Sequence, residues 1–134
     1  MQNQKPAYNG ILLLTRGRQG DCLLESAAHI LGEWPAKVFA ISLLGTERRG
    51  EIEEQVREAA ENLKQNTGGV LILCDLFGST QANVAAVVGK SDNAVCCAFG
   101  LNLAMLLEAV NRRHLPLDEM RKRTTEAARA AVVC

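Results

Sequence analysis

Along the chain, apolar residues gather into four short runs separated by longer amphipathic stretches. The runs are Ile11 to Leu14, Val38 to Leu44, Val70 to Cys74 and Ala94 to Phe99. None alternates strictly with polar residues, which is how strands covered on both faces of a parallel sheet read. Helical spacing fills the intervals. Asp21 is placed to cap a helix that buries Leu23, Leu24, Ala27, Ala28 and Leu31 and stops at Gly32. After Gly45 the period is clearest: Ile52, Val56, Ala59 and Leu63 recur on one face, while Glu, Arg and Lys fill the other. A shorter Ala/Val-rich helix is expected after Thr80 and another from Leu103 to about Asn111. A last helix starts at Leu117 or Asp118 and carries Met120, Thr124, Ala127, Ala128 and Ala131.

Strands alternating with helices predict right-handed crossovers and an α/β fold: an open, doubly wound, mostly parallel sheet with helices on both faces. A strand order of 2-1-3-4 would bring the loops after the first and third strands together at the switch point, where ligands bind in such sheets. Ala130 to Cys134, "AAVVC", has the composition of a short edge strand. Residues 1–9, polar and containing Pro6, read as a flexible tail ahead of a single domain over residues 10–134.

Charge narrows the function classes. Fifteen Lys+Arg balance fifteen Asp+Glu, so the chain lacks the basic excess by which nucleic-acid binders neutralise phosphates. Arg112, Arg113, Arg121, Lys122 and Arg123 lie close in sequence but read as the charged outer faces of two helices. No apolar run approaches the ~20 residues that span a bilayer, and no signal-peptide pattern opens the chain. The five cysteines form no CxxC pair. Cys74, Cys96 and Cys97 sit in apolar runs, and adjacent Cys96 and Cys97 would face opposite sides of a sheet. No metal site and no cofactor are expected, and the compartment reads as a reducing cytoplasm.

Three loops leave the carboxyl ends of strands with unusual composition: "TRGRQGD", "CDLFGSTQAN" and "FGLNLAM". In the second, Gly78 frees the backbone to turn, and the Ser79 and Thr80 amides precede a helix whose amino end favours anions. Thr80 adds a hydroxyl. An ordinary strand-to-helix turn capped by Ser79 or Thr80 accounts for the same residues. "GRQG" in the first loop lacks the full GxGxxG pattern of a dinucleotide site.

Taken together, "GILLLTRGRQGDCLL", "GGVLILCDLFGSTQANVA" and "GLNLAMLLEAVNRR" resemble the IIA component of the mannose/fructose-type sugar phosphotransferase system, over Gly10 to Ala131. The resemblance implies a phosphoryl carrier, in which a histidine in a Thr-His-Gly loop accepts the group from HPr and passes it to a IIB component. Asp75 takes the place of the aspartate that orients the imidazole. Thr15, Gly17, Gly78, Ser79 and Thr80 take the places around the phosphoryl oxygens, and Phe77, Asn83, Asn102 and Met105 fall on the docking face. A cytoplasmic homodimer is also implied, some relatives exchanging a carboxyl-terminal strand, with HPr-like and IIB-like partners and a membrane met only through a transporter complex.

The acceptor's position holds Arg16. A guanidinium keeps its proton, and its nitrogens are poor nucleophiles, whereas an imidazole offers a free nitrogen near neutral pH. Arg16 is therefore expected to form a charge-assisted pair with Asp75 in place of a titrating dyad. Ser79, Gln81 and Ala104 also depart from the family's usual glycine, proline and proline. His29 and His114 fall outside the matched loops, and Cys74 points into a strand core. The expected function is a degenerate IIA domain acting as a regulatory or binding module. The alternatives are an active phosphocarrier using another acceptor and a small-anion sensor. If only the acceptor is missing, Arg16→His should restore some phosphorylation.

Overall fold

The computed structural model describes residues 8–134, so the expected tail over residues 1–7 lies outside the described residues. The elements are β1 (Gly10–Arg16), α1 (Gln19–Leu31), β2 (Val38–Leu43), α2 (Arg49–Lys64), β3 (Val70–Cys74), α3 (Thr80–Ser91), β4 (Val95–Phe99), α4 (Leu103–Arg112) and α5 (Leu117–Ala130). The strands form one sheet in the order β2-β1-β3-β4, every neighbouring pair parallel. This is the α/β architecture that the apolar pattern predicts, in the expected strand order 2-1-3-4. β1 runs past Leu14 because Thr15 and Arg16 pair with Ser42 and Leu43 of β2.

Strand alternation divides the core. Leu12, Leu14, Ile72 and Cys74 join Ile41 and Leu43 beneath α2 and α3, while Ile11, Leu13, Leu71 and Leu73 pack against α1, α4 and α5. All four central β1 residues have no exposed surface, each leucine or isoleucine contributing roughly 1.5–3 kcal/mol of burial. No helix among the described residues is long and apolar enough to cross a membrane.

Three expectations are corrected. α1 begins at Gln19, ahead of Asp21, and its N-cap Arg18 makes no side-chain cap. The cap comes from the strand: Thr15 Oγ1 accepts the Gly20 N–H at 3.0 Å. Asp21 instead accepts from the Ser42 hydroxyl at 2.7 Å. Tyr8 and Asn9, in turn, were expected in the tail, but Asn9 is part of the packed structure. Asn9 is 4% exposed, and its Nδ2 donates to the carbonyls of Arg113 at 3.1 Å and Leu115 at 2.9 Å. The buried Arg113 guanidinium returns bonds of 3.0 and 2.9 Å to the Asn9 carbonyl and stacks 4.2 Å from the Tyr8 ring. Asn9→Ala is expected to lower stability by about 1–3 kcal/mol, the cost of orphaning buried partners, read from the denaturant midpoint.

The third correction concerns the carboxyl end. Ala130 to Cys134 forms no edge strand within the chain, because the alanine-rich helix persists to Ala130. Val132 and Val133 are 74% and 82% exposed, and β4 is left as an outer strand. Inside α5, the Thr124 hydroxyl is buried without a partner. Thr124→Val is expected to raise stability by about 1 kcal/mol by removing that desolvated group, again seen as a higher unfolding midpoint.

Candidate functional site

β1 and β3 are neighbours, but the helices that follow them leave on opposite faces of the sheet, opening a crevice at their carboxyl ends. A cleft of about 700 Å³ lies there, lined by Arg16, Gln19, Asp75, Gly78, Thr80 and Gln81 among others. The order of the strands thus brings together Arg16, Asp75 and the Gly78–Thr80 turn.

Asp75, the residue after β3, is held by four donors. Its Oδ2 accepts the Arg16 backbone N–H at 2.9 Å and the Gln19 amide at 3.2 Å. Its Oδ1 accepts the Leu76 N–H at 2.8 Å and the Gln81 amide at 3.0 Å. A carboxylate offers about four lone-pair sites, and here all four are taken. Gln81 is 8% exposed, so its amide has few other places to donate.

Arg16 does not pair with Asp75 through its side chain, and the expected ion pair is absent: no salt bridge among the described residues involves Arg16. Strand alternation gives the reason. Arg16 shares the face of Leu12 and Leu14, so its side chain leaves toward α2, while Asp75 sits beneath its main-chain N–H. The guanidinium covers Gly45, where an added Cβ would lie 2.8 Å from Nη2 and 2.9 Å from Nε. Gly45 has φ +97°, so glycine suits this position for its backbone as well as its size. Glu47 lines the same small recess as Arg16. Its carboxylate accepts the Leu44 and Gly45 N–H groups at 2.8 and 2.9 Å, which hold its pKa below the usual carboxylate value.

The cradle residues divide. Gly78, at φ +90°, makes the turn. Ser79 is engaged in it: its hydroxyl donates to the Leu76 carbonyl at 2.7 Å and accepts the Ala82 N–H at 3.2 Å as the cap of α3. Thr80 is exposed and borders the cleft. Thr15 is fully buried, its hydroxyl turned to Gly20 and Gly17, so it shapes the loop and does not reach the cleft. Gly17, at φ +68°, donates its N–H to the Leu43 carbonyl at 2.7 Å.

No imidazole or reactive thiol reaches the cleft. His29, exposed near the end of α1, lies about 15 Å along the helix from Gln19 at 1.5 Å per residue. His114 is exposed beside Arg113, at the opposite end of the sheet. Cys74 is fully buried, and burial pushes its thiol far above the usual value, which keeps it protonated. Among the described residues, no group of three His, Cys, Asp or Glu side chains could hold a metal ion.

Of the docking residues expected from sequence, Phe77 is 78% exposed and meets Phe99 edge-to-face at 5.4 Å. Asn83 is exposed on α3. Asn102 caps α4, its Oδ1 accepting the Met105 N–H at 2.8 Å. Met105 is corrected: it is 4% exposed and part of the core, since its side of the first turn of α4 packs onto the sheet. Leu44 and Leu76, both exposed, follow the ends of β2 and β3 and were not singled out in the sequence. Gln19 was also missed. Its signal was its place three residues after Arg16, at the mouth of the first loop.

Comparison with known proteins gives one consistent likeness. The family model described as PTS system fructose IIA component matches residues 10–125. The fructose-specific EIIA component of the PTS system of Bacillus subtilis (strain 168) is 32% identical over 99 residues, 73% of this chain. The match spans just under two thirds of that relative, 66% of its length. Among solved structures, the mannose/sorbose specific IIA subunit of the phosphotransferase system from Enterococcus faecalis superposes with a TM-score of 0.82. It is 26% identical, over 95% of this chain and 94% of the other. The phosphotransferase system component EIIA from Streptococcus agalactiae shares the fold at a TM-score of 0.83 and 22% identity, over 93% and 95% of the two chains.

Proposed function

The chain belongs to the PTS fructose IIA component family, of the mannose/fructose type, and we propose that within it this protein is a binding or regulatory module that does not accept a phosphoryl group. The observation that carries the reading is the filled coordination of Asp75. Its four donors are two glutamine amides and two backbone N–H groups, and the cleft holds no nucleophile to orient. The side chain at the acceptor position points over Gly45, and guanidinium nitrogens are poor nucleophiles. Exposed Leu44, Leu76 and Phe77 at the strand ends support docking of HPr-like or IIB-like partners at this face. The setting is the cytoplasm, with a membrane approached only through a transporter complex. A homodimer fits the exposed Val132 and Val133.

Incubating the protein with phosphoenolpyruvate, the general phosphotransferase and HPr, then measuring intact mass, tests the reading. The expected spectrum shows no phosphate adduct, and a stoichiometric adduct would overturn the proposal. A second reading, reversible binding of a small anion, draws on exposed Thr80 and Arg16, which border the same cleft. It requires thermal stabilisation by phosphate or sulfate that disappears in Arg16→Ala. Equal melting with and without either anion removes it.

A further inference from the structure

Four arginines gather at the carboxyl end of the sheet. Arg16 ends β1, Arg18 is the N-cap of α1, Arg48 is the N-cap of α2 and Arg49 is its first residue. All four are exposed, and no salt bridge among the described residues involves any of them. The loops that carry them adjoin. The Gly17 N–H donates to the Leu43 carbonyl at 2.7 Å, and the Arg16 guanidinium covers Gly45. On the outer faces of the helices, by contrast, Arg57, Lys64, Arg112, Arg121 and Arg123 each meet a carboxylate.

Folding does not account for this cluster. The amino end of a helix carries partial positive charge, so a cation there opposes it and an acid suits it. Arg18, Arg48 and Arg49 take such places. Acids of the same loops and first turns are turned inward. Asp21 accepts from Ser42, Glu47 from the Leu44 and Gly45 N–H groups, and Glu51 from the Arg48 N–H at 2.7 Å. Asp75 is filled by its four donors. The apolar side chains of this end then set a spacing. Leu44 follows β2 and Leu76 follows β3, 83% and 68% exposed, with β1 and its Arg16 between them. At about 4.8 Å per strand the two leucines stand roughly 10 Å apart. An α-helix rises by the same amount over about seven residues.

Resting on the reading of this protein as a binding module, we propose that the face receives an acidic amphipathic helix of a partner protein. Apolar side chains at positions i and i+7 of that helix seat on Leu44 and Leu76, the pattern by which helices are read in grooves. A carboxylate at i+3 or i+4 comes over Arg16, and acids on the flanks reach Arg18, Arg48 and Arg49. The cations are all arginine, whose planar fork matches a carboxylate with two parallel hydrogen bonds. A nucleic acid would engage the arginines but leave Leu44 and Leu76 uncovered, and the chain as a whole has no basic excess.

A fluorescein-labelled helical peptide with Leu at i and i+7 and Glu between them and along both flanks, titrated with the full chain and followed by anisotropy, tests the assignment. Binding is expected that weakens with salt, and that falls about tenfold or more in Arg18→Glu/Arg48→Glu and in Leu44→Ser. The charge reversals place acids at helix amino ends, so the double variant is expected to fold at least as stably as the parent. Circular dichroism checks this, and Arg49→Glu serves if it does not fold. Failure of the peptide to bind would overturn the proposal, as would equal binding of a peptide with Lys in place of Glu. Tighter binding of a single-stranded thymidine oligonucleotide would also overturn it, giving the arginines to a nucleic acid. Intact mass after incubation with phosphoenolpyruvate, the general phosphotransferase and HPr keeps the two readings apart. A chain that stays free of phosphate and does not bind the peptide defeats this inference alone, whereas a phosphate adduct defeats the non-accepting module whatever the peptide does.

Discussion

Asp75→Ala is expected to unfold at a markedly lower denaturant concentration than the parent, by about 2–5 kcal/mol with the slope unchanged. The carboxylate ties the end of β1, the start of α1 and the first turn of α3 through Arg16, Gln19 and Gln81. Removing it leaves the buried Gln81 amide without an acceptor, whereas the more exposed Gln19 finds water. Asp75→Asn keeps one acceptor oxygen but sets an NH₂ group against one of the glutamine amides, so it should fall between the parent and the alanine variant. A carboxylate waiting to orient a catalytic ring behaves otherwise. Its loss leaves stability unchanged or improves it, since functional groups are commonly kept at a cost to stability. A double-mutant cycle separates the contributions. Asp75 and Gln81 should couple by about 1–3 kcal/mol, and Asp75 and the Arg16 side chain by close to zero, because only the Arg16 main chain touches the carboxylate. Strong coupling between Asp75 and the Arg16 side chain would restore the ion pair that the sequence suggested.

That ion pair shows where reading the sequence stopped. The sheet was legible because its strands are buried on both faces and so form unbroken apolar runs. Val70–Cys74 matches its run residue for residue, and α2 follows from the spacing of Ile52, Val56, Ala59 and Leu63. The crevice was legible too, because the strand order alone puts Asp75 beside the end of β1. The direction of the Arg16 side chain was not. It depends on whether β1 ends at Leu14 or continues through Arg16, and the two added pairings with β2 fix the face. The polar clamp was likewise hidden, since Gln19 and Gln81 lie 62 positions apart and meet only through Asp75. Start signals misled at α1, where a strand threonine caps the helix and frees Asp21 for Ser42. Met105 was misplaced because proximity to a loop in sequence says nothing about which side of a short helix faces the sheet.

Arg16→His alone is expected to gain little phosphoryl acceptance, less than the loss of the acceptor by itself would suggest. An imidazole at this position has first to turn back from the α2 face, and then needs an oxygen of Asp75 to fix its tautomer and present the other nitrogen to the phosphoryl donor. Both oxygens are occupied by donors that do not leave when residue 16 changes. Adding Gln19→Ala and Gln81→Pro removes the two side-chain donors and keeps the two backbone ones. Proline is tolerated there because Gln81 is the second residue of α3, within the first turn. The triple variant should therefore exceed Arg16→His by about tenfold or more in the fraction phosphorylated, the effect of roughly 1.4 kcal/mol in orienting the ring. Intact-mass measurement after incubation with phosphoenolpyruvate, the general phosphotransferase and HPr reads both. Stoichiometric phosphate on Arg16→His alone would mean that the clamp yields readily and that only the acceptor was lost. A folded triple variant without phosphate would move the block to Ser79, whose hydroxyl closes the turn against Leu76 where the family usually has glycine.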